Sequence, residues 1–429
     1  MRPISVSENG PLRGKIRVPG DKSISHRSLL LEAIAGGNSE ITGFLPCNDC
    51  LATLACIRAL GIEVEERDEK LLVVHGKGQH GMLSPTKPLD CVRAGTALRL
   101  LIGILAAQPF ESVLTGDSQL RRRPMSRVVE PLMQMGAQIE MIDGHAPLST
   151  QGRDLHGITY AMPVASAQVK SAILLAGLYA DSPTTVHQPA PTRDHTERML
   201  SAMGAKIETD RHSVTIFPSA LSPVSINIPG DFSSAAFPLV AATLVPDSQI
   251  TLRGVGINLT RIGLLDVLSA MGSSVAVEGF RDAGNEPVAD LTVRASRLHG
   301  VEIEGDTVVR MIDEFPILAV AATQAEGTTI VRNAAELHVK ETDRIATVAE
   351  ELSKLGAHIE PTPDGFIVQG PTPLHGAAVS SHGDHRLAMA LAVAGLVADG
   401  TTQIDDIGCA NDSFPDFVGL MRAIGGRYD

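Results

Sequence analysis

The chain is predicted to be an α/β protein of two domains built from six βαβαββ repeats. Two observations predict this. An apolar helix, then a small residue, Thr or Ser and an apolar residue, then a helix closing on apolar-Gly, recurs six times along the 429 residues. The tripeptide Pro-Gly-Asp also occurs twice in matching context, Ile16–Asp21 and Ile226–Asp231, and divides the six repeats into two sets of three.

The first helices are expected at Ser25–Ala35, Thr96–Ala107, Ser166–Ala180, Ser233–Leu244, Asp313–Ala325 and Asp384–Ala398. The second helices are expected to end at Leu60-Gly61, Met135-Gly136, Met203-Gly204, Met271-Gly272, Leu355-Gly356 and Ile424-Gly425, where glycine accepts the left-handed conformation of a helix end. Alternating strands follow, as at Ile62–Glu66, Ile139–Ile142 and Ile207–Thr209. Each Pro-Gly-Asp is read as opening a repeat, with repeats four to six running from about Val224. The sixth stops short of its last two strands, and Ile4–Val6 is expected to supply one of them. The domains are then 1–20 plus 230–429 and an inserted 21–229, with hinges near Gly20 and Gly230. Arg281–Pro287, carrying Gly284-Asn285, reads as a hairpin loop.

With 44% apolar and 20% charged residues, the composition is that of an ordinary globular protein. No apolar run reaches spanning length and no targeting pattern precedes Ile4, so a cytoplasmic location without membrane association is expected. A net charge of −13 speaks against nucleic-acid binding and makes local clusters of cations more telling. Five cysteines provide no disulfide framework, and Cys47-Asn-Asp-Cys50 lacks the second pair a zinc site would need.

The chemistry gathers at the first-helix starts, where unpaired backbone N–H groups and the macrodipole favour anions. Repeat one presents Asp21-Lys22-Ser23-Ile24-Ser25-His26-Arg27, and repeat two Arg93-Ala94-Gly95-Thr96 with Arg99. Repeat three presents Ser166-Ala167-Gln168-Val169-Lys170, and repeat six Asp384-His385-Arg386. Singly, Ser23, Ser25, Ser166, Asp313 and Asp384 serve equally as helix caps. Recurrence at equivalent places instead points to an anion chamber between the domains. Of Arg121-Arg122-Arg123, the last is restrained by Pro124 and is assigned to ligand. In Lys340-Glu341-Thr342-Asp343-Arg344, helical spacing would put Lys340 and Arg344 on one face, two cations beside one carboxylic acid. His195, without metal-ligand partners at helical spacing, reads as structural or as a substrate neighbour.

Pro19–Arg27, Ala94–Arg99, Arg123-Pro124-Met125, Ser166-Ala167-Gln168, Lys340–Arg344 and Asp384-His385-Arg386 together resemble the signatures of the 5-enolpyruvylshikimate-3-phosphate synthases, in order across the whole chain. Arg193-x-His-x-Glu197, Gly20–Ser23, Ser166–Lys170 and Asn258-x-Thr-Arg261 are similar to the class II branch, some of whose members tolerate glyphosate. The resemblance implies the two-domain enolpyruvyl transferase fold, an inside-out α/β barrel of six repeats in two pseudo-threefold domains. It implies transfer of the enolpyruvyl group of phosphoenolpyruvate to the 5-hydroxyl of shikimate 3-phosphate, with release of phosphate, by a monomer needing no cofactor or metal, and glyphosate as an inhibitor. Shikimate 3-phosphate would be held by Lys22, Ser23, Arg27, Ser166, Ala167, Gln168, Arg193, Asp313 and Lys340. Phosphoenolpyruvate would be held by Lys22, Gly95, Arg123, Gln168, Arg344 and Arg386. Glu341 would donate the proton to C3, while Asp313, helped by Lys22, takes the hydroxyl proton; neighbouring Glu314 reads as a cap.

The chain departs from the pattern in two places. Arg93 stands where Asn is usual, and Asn411–Pro415 lacks the Lys of the other branch. An enolpyruvyl transferase acting on a UDP-amino sugar shares the six-repeat fold, but would show Lys-Asn in place of Lys22-Ser23 and a loop cysteine near repeat two, whereas Cys91 is expected in a strand. A non-enzymatic anion scaffold leaves Asp313 and Glu341 unexplained, and charge and repeat number oppose a relative of the RNA phosphate cyclases.

Overall fold

A computed structural model describes residues 3–8 and 10–429. Helices apolar on every face alternate with strands that keep one face in solvent, and this pattern determines the layering. In Phe232–Leu244, Phe315–Thr323 and His385–Ala394 every residue but Leu244 is buried, as expected of helices with no polar side to present to water. The sheets lie outside the helices. The Gly36–Thr42, Glu111–Thr115 and Gln138–Ile142 strands, for example, each carry exposed residues.

Among the described residues, each of the six sheets follows one plan. A short first strand runs parallel to the second; where two more follow, the last lies antiparallel between the second and the third. Repeat two shows this in Leu89–Asp90, Glu111–Thr115, Gln138–Ile142 and His145–Gln151. In repeat six, Ile4–Ser7 pairs antiparallel with Thr401–Ile404, Ile4 opposite Ile404, and so completes that sheet as expected. All six second helices end at a left-handed glycine: Gly61, Gly136, Gly204, Gly272, Gly356 and Gly425 have φ between 82° and 104°.

The chain forms two compact units. One comprises the residues up to Pro19 with Pro229–Arg281 and Pro287–Asp429; the other comprises Gly20–Ile228 with Asp282–Glu286. Each has its own apolar core, one around Phe237, Leu318 and Leu391, the other around Leu30, Leu101 and Leu174. In the second core the helices Gly95–Leu105 and Ala167–Gly177 approach so closely that a Cβ on Gly103 would lie 2.4 Å from the Ala172 carbonyl oxygen.

Three local expectations need correction. The strands preceding the two Pro-Gly-Asp turns do not open their own repeats: Arg13–Ile16 pairs with Gln249–Gly256 of repeat four, and Ile226–Asn227 with Gly36–Thr42 of repeat one. The first helix of repeat one begins at Lys22 rather than Ser25, because the Asp21 carboxylate accepts from the Ile24 N–H at 3.0 Å and caps it there. Residues 341–343 are not helical. A 3₁₀ turn ends at Val339, and Asp343 caps a helix that starts at Arg344 by accepting from the Ala346 N–H.

Candidate active site

In the unit of repeats one to three, the first-helix starts are joined by side chains. The Asp21 cap leaves Lys22 and Ser23 in the first turn, and Lys22 Nζ lies 2.8 Å from Asp49 Oδ2. Asp49 comes from the first turn of the helix Asn48–Ala59, which Cys47 precedes without a side-chain cap. Both flanking cysteines are buried, and burial together with the Cys47 thiol pushes the Cys50 thiol well up, as befits a packed cysteine rather than a reactive one. Arg27 is buried, donating from Nε to Thr196 Oγ1 at 2.7 Å, from Nη2 to Ser171 Oγ at 2.9 Å and from Nη1 to the Ser23 carbonyl at 3.0 Å. Burial, then the charges of Lys22 and Arg27, hold His26 well below its ordinary value, so this signature histidine is a neutral ring on Thr53 Oγ1.

Repeat two begins its helix at Gly95 with no side chain capping it. A Cβ there would lie 2.8 Å from both Arg123 Nη1 and Arg99 Nη1, so glycine is what lets the two guanidinium groups crowd this helix start. Arg99 Nη1 donates to Gln168 Oε1 at 2.9 Å, and Gln168 Nε2 donates to Thr96 Oγ1 at 2.8 Å, linking the helix starts of repeats two and three. Ser166 caps its helix at the Val169 N–H, with Ala167 as the first helical residue. Arg193 is half-buried two residues before the helix His195–Ala202, and His195 is a buried partner of Glu286 at 2.6 Å, hence structural. Arg93 pairs with Asp117 at 3.0 Å, and Cys91 follows the strand Leu89–Asp90 rather than lying in it.

In the unit of repeats four to six, the site is organised around Arg344. Fully buried, it donates from Nε and Nη2 to the two oxygens of Asp384 at 2.8 and 3.1 Å, and from Nη2 to Glu341 Oε2 at 2.7 Å. Its Nη1 lies 3.5 Å from Asp313 Oδ1, an ion pair made without hydrogen-bond geometry. Burial opposes the charge on Arg344, but Asp384, Glu341 and Asp313 outweigh it and raise its pKa. Conversely, burial would raise Asp384, and Arg344 holds it below the usual carboxylate range. Asp384 also caps its helix by accepting from the Arg386 N–H. Arg386 in turn reaches Asp313, Nη2 to Oδ2 at 3.6 Å and Nη1 to the carbonyl at 3.3 Å. Glu314 does not cap with its side chain; it accepts from Ser233, which also receives Arg261 at 3.0 Å. Lys340, half-buried, closes the 3₁₀ turn beside Glu341.

Asp313, Glu341, Arg344 and Arg386 are thus brought together in one unit. Lys22, Arg27, Gly95, Arg123 and Gln168 line the helix starts of the other. Sequence reasoning passed over Asp49, Thr196 and Ser171. Asp49 was hidden between two cysteines that drew the interest, and the two hydroxyls carry no signal until the helices bearing them are packed.

Cations at helix starts, with Asp313, Glu341 and Asp384 around Arg344 on a six-repeat frame, are the features of an enzyme suited to anionic substrates. The profile of the family described as EPSP synthase (3-phosphoshikimate 1-carboxyvinyltransferase) matches residues 6–421. Proteins named 3-phosphoshikimate 1-carboxyvinyltransferase from Herpetosiphon aurantiacus and Geobacter sulfurreducens are each 53% identical, over 96% and 97% of this chain and 97% of theirs. The solved EPSP synthase of Acinetobacter baumannii superposes with a TM-score of 0.89 at 43% identity, covering 100% of this chain and 99% of that one. The chain belongs to the EPSP synthase family. It is a transferase of the shikimate pathway, moving the enolpyruvyl group of phosphoenolpyruvate onto shikimate 3-phosphate.

Proposed function

We propose that the side chains described above divide the reaction between them. Lys22, Ser23, Arg27, Ser166, Ala167, Gln168, Arg193, Asp313 and Lys340 hold shikimate 3-phosphate; Lys22, Gly95, Arg123, Gln168, Arg344 and Arg386 hold phosphoenolpyruvate. The 5-hydroxyl oxygen bonds to C2 of phosphoenolpyruvate as its proton passes to Asp313, helped by Lys22, and Glu341 gives a proton to C3. Breaking the C2–O bond to phosphate and removing a proton from C3 then restores the double bond, so one phosphate leaves per vinyl ether formed. The observation that carries this reading is the buried Arg344, with Asp313, Glu341 and Asp384 around it. Two polyanions call for such forks, and proton transfer calls for such carboxylates.

Binding between two units hinged near Gly20 and Gly230, action as a monomer in the cytoplasm and inhibition by glyphosate belong to the same reading. It is supported by the short chain crossings at Pro19–Gly20 and Ile228–Pro229, and no described helix is long and apolar enough to cross a membrane. The test is phosphate release on mixing the protein with phosphoenolpyruvate and either shikimate 3-phosphate or UDP-N-acetylglucosamine. Release only with the first acceptor is expected; release only with the second would overturn the reading.

A further inference from the structure

The Arg193-x-His-x-Glu197 motif has done little in the account so far beyond Arg193, yet three consecutive polar residues of its helix turn are buried. His195, Thr196 and Glu197 are exposed by only 1, 1 and 4%. Consecutive buried polar side chains are costly unless each is engaged, and each here meets a different element. His195 meets Glu286, and Glu197 meets the buried Lys170 of the helix Ala167–Gly177. Between them, Thr196 Oγ1 receives Arg27 Nε at 2.7 Å and lies 2.7 Å from Ser171 Oγ, which receives Arg27 Nη2 at 2.9 Å.

Two hydroxyls bonded to each other therefore grip one edge of the Arg27 guanidinium, and the Ser23 carbonyl holds Nη1. Three contacts to a planar group fix its plane as well as its position, which a single contact cannot do. Packing alone does not ask for a hydroxyl at either site: Val has nearly the shape of Thr, and among apolar neighbours it would be favoured were there no donor to satisfy. The contacts of His195 with Glu286 and of Glu197 with Lys170, on either side of Thr196, keep the turn that carries it seated. We propose that Thr196 and Ser171 are positioning residues that set the plane of Arg27 toward an oxyanion of shikimate 3-phosphate. The proposal rests on the reading of Arg27 as a ligand of that substrate.

Steady-state kinetics with both substrates test it. Thr196→Val is expected to raise KM for shikimate 3-phosphate about tenfold, the effect of one lost hydrogen bond to a charged group, while KM for phosphoenolpyruvate and kcat stay within about twofold. Thr196→Ser, which restores the hydroxyl, should return KM to near the parent value. Ser171→Ala probes the same grip from the neighbouring helix should Thr196→Val fold poorly. The double variant Arg27→Lys/Thr196→Val should be no worse than Arg27→Lys alone, because the hydroxyl acts only through Arg27. An unchanged KM for shikimate 3-phosphate in both hydroxyl variants, a uniform loss across all parameters, or additive losses in the double variant would overturn the proposal. If Arg27→Lys itself leaves that KM unchanged, the assignment of Arg27 fails and takes the positioning role with it.

Discussion

Arg344 donates from Nη2 to Glu341 Oε2 at 2.7 Å, so the proposed proton donor is held in place by a buried guanidinium. Glu341→Gln keeps the shape without the proton and should lower kcat by about 10²–10⁴ while leaving shikimate 3-phosphate binding nearly intact, measured by calorimetry. Near-normal turnover would assign the acid elsewhere. Arg386→Ala removes a charged fork 3.6 Å from Asp313 and should raise KM for phosphoenolpyruvate; an unchanged value would remove Arg386 from that role. At Gly95 a methyl would press on Arg123 and Arg99. Gly95→Ala should therefore raise the glyphosate inhibition constant above that of the parent, at some loss of phosphoenolpyruvate affinity. Equal inhibition of parent and variant, each referred to its own KM for phosphoenolpyruvate, would show that this glycine does not discriminate.

Among the elements, the first helix of repeat one carries a buried liability. Burial pushes the Glu32 carboxyl up to about 7, against the opposing hydrogen bond from the Val224 N–H. Because the folded state keeps this proton longer than the unfolded chain does, stability falls as pH rises from about 4.5 to about 7, and the penalty is complete above that range. Glu32→Gln should gain on the order of 2–3 kcal/mol at about pH 8 and little at about pH 4, read from denaturant midpoints. A gain independent of pH would refute the ionisation account. Helix ends were legible in the sequence because a left-handed glycine is a local demand, met at Gly61 and its five counterparts. The start at Lys22 is not apparent from Pro-Gly-Asp read as the opening of a repeat beside a hinge, because the Asp21 side chain is also the cap. The extended Lys340 and the Asp343 cap broke a run whose spacing alone looked helical. Least legible was the exchange of Arg13–Ile16 and Ile226–Asn227 between sheets. Both strands precede the same tripeptide, and no local pattern says which distant neighbour a parallel strand will choose. The site was legible as far as charged motifs reach, and faded where neutral hydroxyls do the holding.

For the whole molecule, cations recur in both units, with Arg27 and Arg123 in one and Lys340, Arg344 and Arg386 in the other. On the proposed reading, in which residues of both units hold shikimate 3-phosphate, that dianion should draw the units together and lower the radius of gyration in small-angle scattering. An unchanged radius would count against closure. The exchanged strands also bear on how the chain is made. During vectorial synthesis, the unit comprising Gly20–Ile228 has nearly all its residues once Ile228 has left the ribosome. Arg13–Ile16, made earlier, must wait for Gln249–Leu252, and Ile4–Ser7 must wait for Thr401–Ile404. These segments, translated before Gly20–Ile228, are thus placed after it. Nascent chains arrested soon after repeat four begins should already protect repeats one to three from protease while residues 3–19 are still cut, so the order of assembly runs against the order of translation.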